Sequence, residues 1–360
     1  MKNRKITGAL LAASVLLSGC RANPAPDSRT TANTTAGTTA ETTDTAEQTT
    51  KQSETTTTPE PERFTFNPHV YSPTLGTEIP QDHWDSFYNL CDALRAGRDT
   101  FACSSQEAYD FSMDSCVLAH LLPPSCMKIS GESNDQTKPY ENGVGRIYYN
   151  IPPEEYVKRQ AEFEEKVVDV LNTCLEPDDD DFEKCLKLYR YMEMNYIYED
   201  FPQGCGDGAY YYTFMTHKGV CDEISGVYMY LLLQAGIDAL EVGCTVPTMA
   251  HAWNYVIIDG HGYHIDPTWS LMPDHEIDTS LSLEYFMMTD EHRIGDGCDL
   301  DELTVDLLPK YWLSNSTLKL PETNDRFYAK DYSKLDSLDE ENKIMHYTDM
   351  YGNSFELHYG

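Results

Sequence analysis

Basic residues are scarce in this chain. Lys and Arg number 26 against 60 Asp and Glu, a formal charge of −34 over 360 residues. So few cations cannot neutralise a phosphate backbone, which excludes nucleic-acid binding. Docking of the protein surface on anionic lipid is disfavoured for the same reason. Cysteine is sparse too: eleven residues are too few for a disulfide-built scaffold at this length. Beyond residue 17 no apolar run is long enough to span a bilayer. Residues 21–62 contain no Phe, Tyr, Trp, Leu, Ile, Val or Met, and fifteen of these 42 positions are Thr. Such a stretch cannot bury enough apolar surface to offset its ordering entropy, so it reads as a disordered tether. Elsewhere apolar side chains are plentiful: hydrophobic residues make up 40% of the chain and aromatics 11%, enough to build a core.

The N-terminus has the pattern of an export signal. Lys2, Arg4 and Lys5 precede a mostly apolar stretch from Ile6 to Leu17, too short to cross a membrane. It ends in Leu17-Ser18-Gly19-Cys20, which resembles a bacterial lipobox. The resemblance implies cleavage after residue 19 and lipidation of Cys20. Removing residues 1–19 takes away three bases and no acid, lowering the charge from −34 to −37. The anchor is then the acyl chains alone, each buried CH₂ contributing roughly 0.8 kcal/mol. The expected location is extracytoplasmic, on the bacterial cell membrane.

Folded character begins near Phe64. His83 to Leu94 has Trp84, Phe87, Leu90, Cys91 and Leu94 at helical spacing. Arg146 to Ile151 reads as a strand stopped by Pro152-Pro153. Glu154 to Leu175 is an amphipathic helix with Phe163, Val167, Val170 and Leu171 on one face. Asp178 to Asp181 precede another helix, from Phe182 to Asn195, and read as its N-cap and acidic first turn rather than a cation site. Near the C-terminus, Lys343–Tyr347 and Ser354–Tyr359 are extended, and Tyr351-Gly352-Asn353 between them suits a hairpin turn.

The chemistry concentrates between residues 196 and 290. Gly219-Val220-Cys221 opens a helix that is apolar nearly all round, with Ile224, Val227, Tyr228, Tyr230, Leu231, Leu232 and Leu233, and Gly236 stops it. Cys221 therefore starts a buried helix, whose positive end favours thiolate over thiol. That is one way a protein activates a sulfur nucleophile. Met249–Ile258 and Gly262–Trp269 read as strands, with Asp259-Gly260 as the turn between them. Folding at that turn sets His251 and Asp266 nearly opposite, so imidazole and carboxylate share a face. A one-residue slip would separate them, and a bulge is expected to fix the register.

These segments together resemble the transglutaminase-like superfamily of cysteine enzymes. The pattern is Gly219-Val220-Cys221, a buried helix ending Ala235-Gly236-Ile237, His251-Ala252-Trp253-Asn254, then Asp266-Pro267-Thr268-Trp269. Tyr285 to Asp290 is similar to the segment that follows in bacterial surface members. The likeness covers residues 182–292 well and the flanks loosely. It implies an α+β fold with a papain-like core, a nucleophile helix packed on an antiparallel sheet. It implies Cys221 as nucleophile, His251 as general base and then acid, and Asp266 as the group that orients His251. The Cys221 N–H would be one oxyanion donor. Tyr211 is the candidate for a second, with Tyr210 and Tyr212 competing. The chain departs from many relatives in placing Asp222-Glu223 after the cysteine, acids that oppose a thiolate. The implied domains are the signal peptide (1–19), the lipidated Cys20 with its tether (20–62), an N-terminal α+β subdomain (63–150), a transglutaminase-like catalytic domain (151–295) and a β-containing extension (296–360).

No cofactor is expected. His261 and His264 lie near His251, but no further ligand comes at a metal-site spacing. Asp296–Asp301 lacks the EF-hand spacing and reads as an acidic loop. Setting aside Cys20 and Cys221, nine cysteines remain, so at least one stays free. The expected function is acyl transfer at a peptide or glutamine amide of peptide, protein or cell-wall substrates. The alternative is an inactive binding or adhesion lipoprotein that kept the fold.

Overall fold

The computed structural model describes residues 63–131, 138–199, 209–246, 249–271, 282–305, 307, 318–329 and 332–360. The signal segment, Cys20, the Thr-rich tether and Cys205 lie outside the described residues. Among the described residues no helix is long and apolar enough to cross a membrane.

Residues 63–150 form short helices and small sheets. Helix α1 (Gln81–Arg95) buries Trp84, Phe87, Leu90, Cys91 and Leu94, the stripe its spacing predicts. Strand β1 (Thr100–Ala102) follows, then α2 (Gln106–Ser112), α3 (Ser115–Leu121), β2 (Ile129–Ser130), β3 (Tyr140–Glu141), β4 (Val144–Arg146) and β5 (Tyr148–Tyr149). The single strand expected over Arg146–Ile151 is divided. β4 pairs with β1 and β3, whereas β5 pairs with β2. The chain changes sheets at Ile147, which is buried and donates its N–H to Asp99 O at 2.8 Å.

Helix α4 (Pro153–Cys174) begins with a proline, whose missing N–H costs nothing at a helix start. Phe163, Val167 and Leu171 form its buried face. In α5 (Asp181–Asn195), Asp180 caps the helix and shares a capping box with Glu183, while Asp179 pairs with Lys187 at 2.5 Å. The acidic run is thus consumed by a helix start. A short parallel pair, β6 (Ile197–Tyr198) and β7 (Lys218–Gly219), brackets α6 (Ala209–Thr216).

The architecture is α+β with a papain-like core: helix α7 (Cys221–Gln234) lies on an antiparallel sheet. Every residue of α7 from Ile224 to Gln234 is buried. The sheet has the order β10–β9–β8–β11, from β8 (Asp238–Val246), β9 (Met249–Ile258), β10 (His261–Ile265) and β11 (Thr304–Val305). Helix α8 (Asp290–Gly295) precedes β11. The last residues form a separate meander of β12 (Lys334–Asp339), β13 (Ile344–Thr348) and β14 (Ser354–His358). Gly352 takes φ 81° in the final turn, and Asp349 Oδ1 accepts the N–H groups of Tyr351 and Asn353 there. The meander docks on α5: Tyr359 stacks on Phe182 at 4.6 Å and, with Lys343, bonds the Glu183 carboxylate.

Two reciprocal amide pairs fix the first described residues. Phe64 N–H donates to Asn172 Oδ1 at 2.8 Å and Phe64 O accepts from Asn172 Nδ2 at 2.9 Å. Asn67 makes the same exchange with Gln234, at 2.9 and 2.8 Å.

Candidate active site

The hairpin β9–β10 turns through Asp259-Gly260, both at positive φ (51° and 78°), as a two-residue type I′ connection requires. Its ladder runs from Ile258↔His261 to Asn254↔Ile265 with no register shift. Continued by one residue, it sets Asp266 opposite Trp253, two residues from His251. The expected bulge is not needed. Residues two apart on a strand share a face, so His251 and Asp266 meet as diagonal neighbours.

They meet closely. His251 Nε2–H donates to Asp266 Oδ2 at 2.6 Å, and both side chains are almost wholly buried. The other carboxylate oxygen accepts the N–H groups of Thr268 and Trp269 at 3.1 and 3.0 Å. Cys221, half-buried at the start of α7, is close enough to His251 to act on its charge. Burial alone would lower the pKa of His251, but the charge of Asp266, its hydrogen bond and the contact with Cys221 raise it to about 9. Burial works against the Asp266 carboxylate too, yet the His251 and Arg293 charges hold it below the usual range.

Aromatic rings fix the imidazole plane. His251 stacks on Trp269 at 4.7 Å and on Trp253 at 5.9 Å. Trp253 Nε1–H donates to His264 Nδ1 at 2.8 Å, which leaves His264 Nε2–H for Asp290 at 2.9 Å. Burial lowers the pKa of His264. With both ring nitrogens engaged it is a second support of the site, not a free ligand. Among the described residues no cluster of His, Cys, Asp or Glu is arranged to hold a metal ion.

Cys221, His251 and Asp266 are therefore brought together. Tyr211 is placed differently. Its ring lies under the Arg159 guanidinium at 3.3 Å and beside Phe163 at 5.9 Å, facing α4. Its neighbour Tyr210 reaches the first turn of α7, where its hydroxyl donates to Asp222 Oδ2 at 3.0 Å. The two acids after the cysteine are thus both engaged, since Glu223 Oε2 accepts the Val220 N–H at 2.8 Å. Burial pushes the Glu223 carboxyl up, which lessens its opposition to a thiolate.

Sequence reasoning missed two sets of residues. Beneath α7, His120 Nε2–H donates to Glu241 Oε2 at 2.7 Å, and Glu241 Oε1 accepts from Ser225 Oγ at 2.5 Å. Tyr210 OH lies 3.2 Å from His120 Nε2, linking this pair to Asp222. Burial opposes the imidazolium, but the Glu241 charge raises the His120 pKa. The second set is Arg293 on α8, fully buried, with Nη2 3.3 Å from Asp266 Oδ2 and Nη1 3.2 Å from Asp296. Nothing local marks either set: they are assembled from segments far apart in sequence. Cys244, opposite His251 in the β8–β9 ladder, lies near the Cys298 thiol, which lowers its pKa. All nine cysteines among the described residues are free thiols.

The family comparison agrees with this geometry at the level of fold. The family model of the Transglutaminase-like superfamily matches residues 169–267, a span that holds Cys221, His251 and Asp266. No curated protein matches the chain. Among solved structures, a candidate cysteine protease from Cytophaga hutchinsonii is similar over 31% of this chain, at 18% identity and a TM-score of 0.24. The matched part spans 37% of that protein's length.

Proposed function

We propose that the protein is a cell-surface cysteine acyl-transfer enzyme acting on peptide or glutamine amides. The observation that carries this reading is the placement of His251: one ring nitrogen on Asp266 at 2.6 Å, Cys221 near enough to act on its charge, and a pKa raised to about 9. An imidazole held in this way stays protonated at neutral pH and stabilises a neighbouring thiolate. The Cys221 sulfur would attack the substrate carbonyl carbon, forming the C–S bond as the carbonyl becomes an oxyanion. As the first residue of α7, Cys221 has a backbone N–H with no intrahelical acceptor, suited to receive that oxyanion. Collapse breaks the C–N bond, and His251 delivers its proton to the departing amine. Water, deprotonated by the now neutral His251, then attacks the thioester and releases the acid. Ammonia would leave from glutamine and a peptide amine from a peptide bond. A lysine in place of water would give a cross-link. Water needs no second binding site, so hydrolysis is the reading we favour.

The location proposed is the outer face of the cell membrane, held by acyl chains on Cys20. The supports are the Leu17-Ser18-Gly19-Cys20 pattern and the acidity of the chain, which leaves lipid as the only attractive contact with an anionic surface. The substrates proposed are peptides or proteins outside the cell, cell-wall peptides among them. The test is a peptide-library digest read by mass spectrometry, scoring cleavage, deamidation and amine incorporation together in the wild type and Cys221→Ala. The wild type is expected to give at least one of these products and Cys221→Ala none. Turnover retained in Cys221→Ala sinks the nucleophile assignment.

A further inference from the structure

We infer that Arg293 is a positioning residue of this site, acting through Asp266 and the two tryptophans that flank His251. The inference rests on the Cys221–His251–Asp266 reading above and adds a residue that its motif does not contain.

Arg293 has no exposed surface. A buried guanidinium is costly to desolvate unless its surroundings compensate, so its neighbours are informative. Two of them are carboxylates, Asp266 at 3.3 Å and Asp296 at 3.2 Å. The other two are rings: the guanidinium carbon lies 4.3 Å from the Trp253 centroid and 4.5 Å from that of Trp269. These are the same two indoles against which His251 stacks. Nε and Nη2 find no hydrogen-bond acceptor, so the aromatic faces and the charge of Asp266 stand in for one.

Asp266 Oδ2 is shared between His251 and Arg293, while Oδ1 is taken by two backbone N–H groups. The carboxylate therefore has no free rotation, and the oxygen facing the imidazole is also the one facing the guanidinium. Rotating Arg293 away would disturb the acid and both rings at once. The charge matters separately from the packing. Asp266 is fully buried, a setting that favours the neutral acid, and the Arg293 cation helps keep it ionised opposite His251. The planar fork and stacking face are properties of arginine that lysine lacks.

The test needs no known substrate. Carbamidomethylation of Cys221 by iodoacetamide is followed against pH on the full chain, by mass spectrometry of the Cys221 peptide. In the wild type the rate is expected to rise along an acid limb that reports formation of the thiolate–imidazolium pair. In Arg293→Met the limb is expected to move measurably upward, because a buried cation beside the His251–Asp266 pair is lost. The plateau rate is expected to fall about tenfold as the imidazole loses alignment. Arg293→Lys keeps the charge, so its limb should stay near that of the wild type while the plateau falls. A limb unmoved in Arg293→Met, with only a lower melting temperature, overturns the inference and leaves Arg293 as packing. A wild-type limb like that of an ordinary thiol instead sinks the Cys–His reading itself, whatever the Arg293 variants do. Should Arg293→Met not fold, Arg293→Lys decides by itself: its plateau is expected to fall with the limb unmoved, and a plateau equal to that of the wild type overturns the inference.

Discussion

At the scale of single residues, the site is a chain of charges of alternating sign, and its pH behaviour follows from two of them. The folded pKa of His251 lies above its unfolded value, so the imidazolium contributes stability that is fully present below pH ~6.5 and is lost as pH rises through about 9. A shift of that size corresponds to roughly 3 kcal/mol. Urea unfolding at pH 6 and pH 9.5 is expected to show this loss in the wild type, and His251→Gln to lack most of it. Asp266 has the opposite sign: its folded pKa is depressed, so its contribution holds above pH ~3.9 and goes as pH falls through the folded value. In catalysis, Asp266→Asn should lower kcat by about 10² to 10⁴, because the imidazole loses its charged partner. The loss should be smaller than in Cys221→Ala, since the Cys–His pair remains. Equal losses in the two variants would argue against an orienting role. Cys221, His251 and Asp266 were legible because their chemistry sits in short local patterns: a helix start, a strand, a strand end. Arg293 was not, since its local context is an ordinary charged stretch, Asp290-Glu291-His292, and Asp266 and the two tryptophans reach it through tertiary packing.

At the scale of elements, the helix that carries Cys221 is held from beneath by polar groups as well as by apolar burial. Gly226 lets this happen. A Cβ there would lie 1.9 Å from the Tyr210 ring, so Gly226→Ala must displace the side chain that ties α6 to Asp222. Overpacking of this kind costs about 1 to 3 kcal/mol. Chemical denaturation should show that cost in Gly226→Ala and its partial relief in Gly226→Ala/Tyr210→Ala. Beneath the same helix, Glu241→Ala leaves the His120 imidazolium without its carboxylate, a change expected to cost about 3 to 5 kcal/mol. The helices of this region were readable from 3.6-residue spacing, and α1, α4 and α5 fall where the periodicity places them. The strand expected over Arg146–Ile151 fails for a physical reason. A run of β-forming residues specifies extended backbone but not which partner it pairs with, and here the partners change at Ile147. The hairpin at Asp259-Gly260 shows the opposite case, because a two-residue turn sets the register of everything beyond it.

At the scale of the whole molecule, the proposed anchor makes a separable prediction. Cys20→Ser should release the protein from the membrane or leave an uncleaved precursor, and deleting residues 21–62 should not release it. Detergent phase partitioning of cell fractions measures both. Normal processing of Cys20→Ser with full membrane retention would require another anchor. The amide pairs at Phe64 and Asn67 bear on how such a chain carries load. Asn67 is fastened to Gln234, the last residue of α7, and Cys221 is the first. Fourteen residues of α-helix separate the two ends by about 20 Å. A pull transmitted through residue 63 meets the clasp on α4 first and then the clasp at the tail of α7. Tension therefore enters the fold at the end of α7 remote from the sulfur, and these amide clasps take the strain before the hydrogen bonds around His251 do.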